Sequence, residues 1–335
     1  MSESNTGLNE IFLSSSPHYT MGDSTQRIMA LVLISLLPEC VWGVIAFGVK
    51  ALVLLVVCVA SCVISEYVFQ KVTRQKVTVS NLSAAVTGVL LALVLSCEVK
   101  PWMAVLGSVV AIVIAKGLFG GIGSNVFNPA LTGRGFMVIS FGAAMGKWKP
   151  LLFSSSASVD VMSSATILNG IKNGSASLDS AALLDCFFGR QSGCIGEVSS
   201  ALIVLSFLFL LVTKVIDPHA TFGMLAAFAL GTFAAGLADK ASVAAACYDV
   251  LVGVCTGGVL FGAVFMVTDY ATTPVTKKGR LVFGLGCGLI TFLIRRFGGY
   301  PEGVMFSILI MNSVSSFLNK LTARKYGYGK KGGAK

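Results

Sequence analysis

The chain has 335 residues, of which 55% are hydrophobic and 12% charged; its mean hydropathy is +0.84 and its net charge +10. Soluble domains carry about 25% charged residues, so this composition excludes an ordinary water-soluble globule and points to a polytopic helical membrane protein. No basic patch interleaved with stacking aromatics is present, which argues against nucleic-acid binding.

Residues 1–27 are polar and lack a basic stretch followed by an apolar core, so no cleavable signal peptide is expected. A hydrocarbon core about 30 Å thick takes about 20 helical residues. Apolar blocks lie at 28–48, 51–70, 82–97, 102–119 and 126–145, and resume at 201–216, 220–237, 245–267, 281–296 and 303–319. The pattern predicts an all-α protein of about ten transmembrane helices. A cytoplasmic segment (1–27) leads into a five-helix repeat (28–146). A long loop (147–200), a second five-helix repeat (201–319) and a basic cytoplasmic tail (320–335) follow.

Basic residues orient the stack, because cytoplasmic loops hold an excess of them. With a cytoplasmic N-terminus, Arg27, Lys71, Arg74, Lys76, Lys116, Lys214, Lys277, Lys278, Arg280 and the six of the tail lie inside. The short outer loops then hold Lys50, Lys100, Lys240, Arg295 and Arg296, and the 147–200 loop is extracytoplasmic. The adjacent Arg295 and Arg296 run against the trend.

The halves resemble each other. "FGGIGSNVF" at 119–127 answers "FGGYPEGVM" at 297–305, an offset of 178 residues. Five spans separate the copies, so they must run in opposite directions, and inverted repeats place binding sites near the midplane beside broken helices. In "GGIGSNVFNPALTGRG", Gly120 to Gly135, glycines permit unusual dihedrals and Pro129 removes a backbone donor. Asn125 and Asn128 bring amides to membrane depth, and Arg134 brings a charge that is costly there. The stretch reads either as a kinked helix packed by small residues or as a pocket for a polar planar ligand. Glu39, Glu66 and Asp249 are candidates for an ion path, or are carboxylates reaching for the interface. "TDYATTP", Thr268 to Pro274, reads as a helix cap and turn.

The nine cysteines show no CxxC pair, and most sit in apolar runs as small hydrophobes. Cys186 and Cys194 share a polar region, and the sequence leaves their pairing open. No metal site is expected: iron–sulfur or zinc ligation lacks the spacing, and only His18 and His219 are available to a haem.

The long loop contains "DVMSSATILNG", Asp160 to Gly170. A Ser-rich loop with a capping Asp is its plain reading. Asp160, Ser163, Ala165 and Thr166 also fit D-x-x-(S/T)-(G/S)-A-T, which resembles the signature read by flavin transferases; Ser164 stands where many such motifs have Gly. Further matches are "SPH" at 16–18, "SNLSAAVTGVLLAL" at 80–93, "GGIGSNVFNPAL" at 120–131, "GCIGE" at 193–197, "TDYATTP" at 268–274 and "YPEGVMFSILIMN" at 300–312. On these the chain resembles the family that holds the RnfD subunit of the Rnf electron transport complex and the NqrB subunit of sodium-pumping quinone reductases. The short N-terminal lead favours the Rnf side.

The resemblance implies a fold similar to urea transporters, with inverted five-helix repeats. It implies FMN joined to Thr166 by a phosphodiester on the extracytoplasmic face, with Asp160, Ser163 and Ala165 as the attachment motif. It also implies a second, non-covalent flavin, riboflavin, for which Asn125 and Asn128 are the assigned contacts. Backbone amides around Gly193 to Gly196 are candidate donors to a reduced flavin. The implied role is an electron relay between ferredoxin and NAD, coupled to Na+ or H+ translocation, in a bacterial or archaeal cell membrane. Its partners would be the other Rnf subunits (A, B, C, E and G), a flavin transferase and the lipid bilayer. The alternatives are an NqrB-type subunit of a quinone reductase, a solute channel on the same fold, and an inert scaffold for a neighbouring flavoprotein.

Overall fold

Small polar caps and prolines decide where the helices begin. The computed structural model describes residues 24–148, 151–152, 180–189, 193–240, 242–300 and 302–322, and among these the regular secondary structure is helical. Helix α1 (Thr25–Phe47) starts where Ser24 Oγ accepts from the Arg27 amide at 3.2 Å. It stops at Gly48, whose φ of 77° suits glycine, and α2 (Val49–Val72) follows. Next come α3 (Ser83–Leu93) and α4 (Pro101–Gly117), the latter widened to a π-helix from Val110. Helix α5 (Pro129–Ser140) is capped by Asn128 Oδ1, which accepts from the Leu131 amide at 3.3 Å.

Beyond the loop lie α6 (Ser180–Phe188), α7 (Ser200–Val212) and α8 (Pro218–Lys240). Helices α9 (Val243–Cys255) and α10 (Val259–Met266) meet at a 66° bend. Helix α11 (Lys277–Phe297) is capped by Thr276, and α12 (Val304–Thr322) completes the set.

Among the described residues, α1, α2, α8 and α12 are long and apolar enough to cross a membrane, and the bent α9–α10 pair makes a fifth crossing if it is one span. Three further apolar helices, Ser83–Leu93, Pro101–Gly117 and Ser200–Val212, are shorter than a full crossing. The apolar block at 82–97 leaves the helix after Leu93, and the block at 126–145 becomes helical only at Pro129. Pro129 does not kink a helix; it occupies the first helical position, where a missing N–H costs nothing.

Each interruption needs its backbone satisfied, since nothing in hydrocarbon will do it. After α3, the Leu93 carbonyl accepts from the Gly196 amide at 2.7 Å and the Leu95 carbonyl from the Ile195 amide at 3.2 Å. After α9, Arg295 Nη1 donates to the Gly253 carbonyl at 2.7 Å and Nη2 to that of Thr256 at 3.3 Å. One break is closed by a returning loop, the other by a guanidinium.

The outer surface is apolar. On α1, Ile34, Leu37, Val41 and Ile45 recur every three or four residues and are all exposed. Such a stripe would be a liability in water and suits acyl chains. Inside, α8 lies along α11 with glycines at the seam. A Cβ on Gly284 would come 2.1 Å from the Ala220 carbonyl oxygen, and one on Gly288 2.2 Å from that of Met224. Small residues four apart let helices approach closely in membranes. Gly284→Ala should therefore destabilise the protein by about 1–3 kcal/mol, read as a lower melting temperature in detergent. Gly142→Ala, whose Cβ meets nothing within 4 Å, should leave it unchanged.

Candidate functional site

A cavity of about 420 Å³ lies where several helices begin or end. The first turns of α1 (Thr25, Ile28) and α3 (Ser83, Thr87) form one wall with Lys116 from the end of α4. Ile122, Gly123 and Asn125 of the glycine-rich loop, with Asn128 at the cap of α5, form another. Phe265 at the end of α10 and the turn Thr268 to Ala271 close it. Gly120, Gly121 and Gly123 have φ of 106°, 91° and 85°, a path that L side chains rarely adopt, which lets the loop curl around the opening. The volume falls within the range of about 300–1,000 Å³ usual for small-molecule sites.

The structure brings Asn125 and Asn128 together on this cavity. They differ in availability. The Asn128 oxygen is committed to the α5 cap. Asn125 Oδ1 is buried without a hydrogen-bond partner among the described residues, so it can accept from a ligand N–H or O–H. The cap-and-turn reading of "TDYATTP" holds: Asp269 Oδ2 accepts from Thr272 Oγ1 at 3.1 Å and Oδ1 from the Ala271 amide at 3.5 Å.

Several carboxylates lie outside the cavity lining, and of these Glu39, Glu66 and Glu197 are buried. Glu66 Oε1 accepts from Lys116 Nζ at 2.7 Å, and both side chains are nearly inaccessible. Glu39 Oε1 accepts from Ser206 Oγ at 2.8 Å. Neither acid reaches for the interface, while Asp249 is half-buried, its Oδ2 near Gly236 of α8. Glu302 receives Arg134 through both guanidinium nitrogens, one at 3.0 Å from Oε1. Gly258, at the α9–α10 bend, leaves room for the carboxylates: a Cβ there would fall 2.5 Å from Glu302 Oε1 and 2.6 Å from Glu197 Oε1.

Sequence reasoning missed much of this. The sequence counts Lys116 among the cytoplasmic basic residues, yet it is 3% exposed. Glu302 carried no signal except its position in the second FGG repeat. Arg295 did carry one, as a charge on the wrong side of the membrane, and its three contacts to the Gly253, Thr256 and Glu302 carbonyls account for it. Of the "GCIGE" amides, those of Ile195, Gly196 and Glu197 donate to protein carbonyls. Cys186 and Cys194 are both buried and not disulfide-bonded. Among the described residues no three His, Cys, Asp or Glu side chains gather as a metal site.

Asp160, Ser163, Ala165 and Thr166 lie outside the described residues. The edges of that segment are placed. The Leu152 amide donates to the Ala46 carbonyl at 3.0 Å, and Trp42 Nε1 to the Gly189 carbonyl at 3.2 Å. Both edges therefore meet the last turns of α1, whose first turn lines the cavity. From Ile28 to Ala46 the helix climbs about 27 Å.

Exposed apolar stripes, satisfied breaks and a cavity between helix ends define a multi-pass helical membrane protein. The chain belongs to the NQR2, RnfD, RnfE family, whose model matches residues 12–327. It is 39% identical over 330 residues to the D subunit of the Na(+)-translocating ferredoxin:NAD(+) oxidoreductase complex of Acetobacterium woodii, covering 96% of this chain and 98% of that one. It is 37% identical over 329 residues to the D subunit of the proton-translocating ferredoxin:NAD(+) oxidoreductase complex of Clostridium ljungdahlii, covering 96% and 97%. The D subunit of the ion-translocating oxidoreductase complex of Escherichia coli is 32% identical over 351 residues, covering 95% and 99%.

Removing one partner of a buried ion pair costs about 3–5 kcal/mol, because the other charge is left uncompensated. Arg134→Gln should lower the melting temperature in detergent accordingly. Arg134→Gln combined with Glu302→Gln should recover most of that loss, as a double-mutant cycle will show.

Proposed function

We propose that the chain is the RnfD subunit of an Rnf-type complex: an electron-relaying flavoprotein in an ion-translocating ferredoxin:NAD oxidoreductase. The observation that carries this reading is the near full-length match to relatives of that name, together with the D-x-x-S-x-A-T run in the loop. The chain works as one part of an assembly. The other Rnf subunits (A, B, C, E and G) would supply the ferredoxin and NAD sites, and a flavin transferase would mature it.

FMN is attached through a phosphodiester to Thr166, with Asp160, Ser163 and Ala165 as the motif the transferase reads. Small neighbours suit that chemistry, because an active site must close around a single hydroxyl. Riboflavin, held without a covalent bond, occupies the cavity beside Asn125 and Asn128. The fit is supported by the volume and by the unpartnered Asn125 oxygen, an acceptor for a ring N–H. When bound, flavins supply the one- and two-electron chemistry; the chain positions them and tunes their potentials. Here the caps and turns around the cavity fix the wall, and the buried apolar residues behind it exclude water.

Ten helices in two inverted five-helix repeats, in the manner of urea transporters, describe the architecture. Support comes from the order of elements: α2 rests on α3 and α4, as α8 rests on α9 and α11. The N-terminus lies in the cytoplasm, so the cavity is at the cytoplasmic end of α1 and the FMN loop is extracytoplasmic. The charge count supports this more cleanly once Arg295, engaged inside the protein, leaves the outer tally. The transported ion is Na+ or H+; relatives carry both names.

In-gel fluorescence tests the covalent flavin. The chain expressed with a flavin transferase should give a fluorescent denatured band, lost without the transferase and lost in Thr166→Ala. A dark band beside an active transferase would move the solute-channel reading to the front. The non-covalent flavin is tested separately: acid extraction should release riboflavin from the unsubstituted protein, and much less from Asn125→Leu, with the covalent flavin retained in both.

A further inference from the structure

Lys116 lines the cavity, yet the proposed function leaves it without a task. Its Nζ donates to Glu66 Oε1 at 2.7 Å and to Ser83 Oγ at 2.6 Å. An ammonium has three donors, so one remains, and Lys116 stands at the cavity wall. Ser83 shares that wall, whereas Glu66 lies behind it. Glu66 Oε1 also accepts from Gln70 Nε2 at 3.3 Å, while Oε2 is buried without a partner among the described residues. The carboxylate is therefore fixed from its own helix and leans on Lys116. Apart from Lys116, the charged side chain lining the cavity is Asp269, which is engaged by its own turn. The segment that presents Lys116 is π-helical, a geometry found mostly where function demands it.

We propose that Lys116 is the positive counter-charge of this cavity, divided between Glu66 and the bound flavin, and that it sets the flavin's midpoint potential. The inference rests on the reading of the cavity as a non-covalent flavin site. An oxidised isoalloxazine ring is neutral. Two electrons from an external low-potential donor and one proton from solvent leave it with one negative charge. Lys116 keeps its own proton throughout. In a water-poor site a cation near that charge favours the reduced ring. Glu66 acts the other way, because it draws the same ammonium and brings a negative charge of its own.

The two residues should therefore move the potential in opposite directions. Lys116→Met removes the counter-charge and lowers it. Glu66→Gln removes the competitor, keeps a hydrogen-bonding side chain and raises it. A shift of tenfold in the relative binding of reduced over oxidised flavin is about 30 mV for a two-electron couple. A strut holding α2 to α4 behaves differently, since either variant breaks the same ion pair and both would act alike.

The test is an equilibrium redox titration of the full chain with dithionite and reference dyes. A Thr166→Ala background leaves the non-covalent flavin as the flavin observed. A fall in Lys116→Met, a rise in Glu66→Gln and a restored value in Lys116→Arg are expected. Potentials that move together, or not at all with flavin bound, overturn the proposal. If Lys116→Met loses its flavin, Glu66→Gln decides alone: a rise supports the proposal and no rise overturns it. If the unsubstituted chain holds no extractable flavin, the site reading itself fails and the inference falls with it.

Discussion

Backbone that leaves a helix inside a membrane must find partners within the protein, and this constraint organises the structure. An unmet carbonyl or amide costs several kcal/mol in hydrocarbon. The half-length α3 can end at Leu93 only because Ile195 and Gly196 bring amides to its exposed carbonyls. The α9–α10 bend can exist only because Arg295 reaches back from α11 to the Gly253 and Thr256 carbonyls. Once Arg295 is held there, its Nε meets the Glu302 carbonyl at 3.1 Å, which fixes the loop that offers Glu302 to Arg134. The buried charges thus follow from the breaks. They are ties between segments that regular helices would not need.

How far the sequence exposed this depended on the kind of signal. Hydrophobic blocks show long helices plainly, and α1, α2, α8 and α12 stand close to where the blocks predicted them. Hydropathy does not distinguish a helix from extended backbone buried in protein, so 94–97 and 126–128 looked like parts of spans. Asn125 and Asn128 were legible because amides and glycines are rare together at such depth. Lys116 and Glu66 were harder: they are 50 positions apart, and only the packing of α4 on α2 makes them a pair. The use of the Ile195 and Gly196 amides at the end of α3 was hidden for a related reason, since at least 100 positions separate each donor from its acceptor.

The cavity and the long loop stand at opposite ends of one helix. In α1, Thr25 and Ile28 face the cavity, while Trp42 and Ala46 hold the edges of the loop segment. Lys50 and Glu98, paired at 2.8 Å, mark the loop end as polar surface. One helix thus joins the cavity to the anchored edges of the long loop.

The grip of Trp42 and Ala46 on the loop edges has a consequence for the gene as well as for the protein. The two residues lie four apart on one helix, so Leu152 and Gly189 are anchored about one turn from each other. Closing a longer excursion between fixed feet costs little, rising only with the logarithm of its length. Insertions and deletions in this stretch need not pull on the helices beneath.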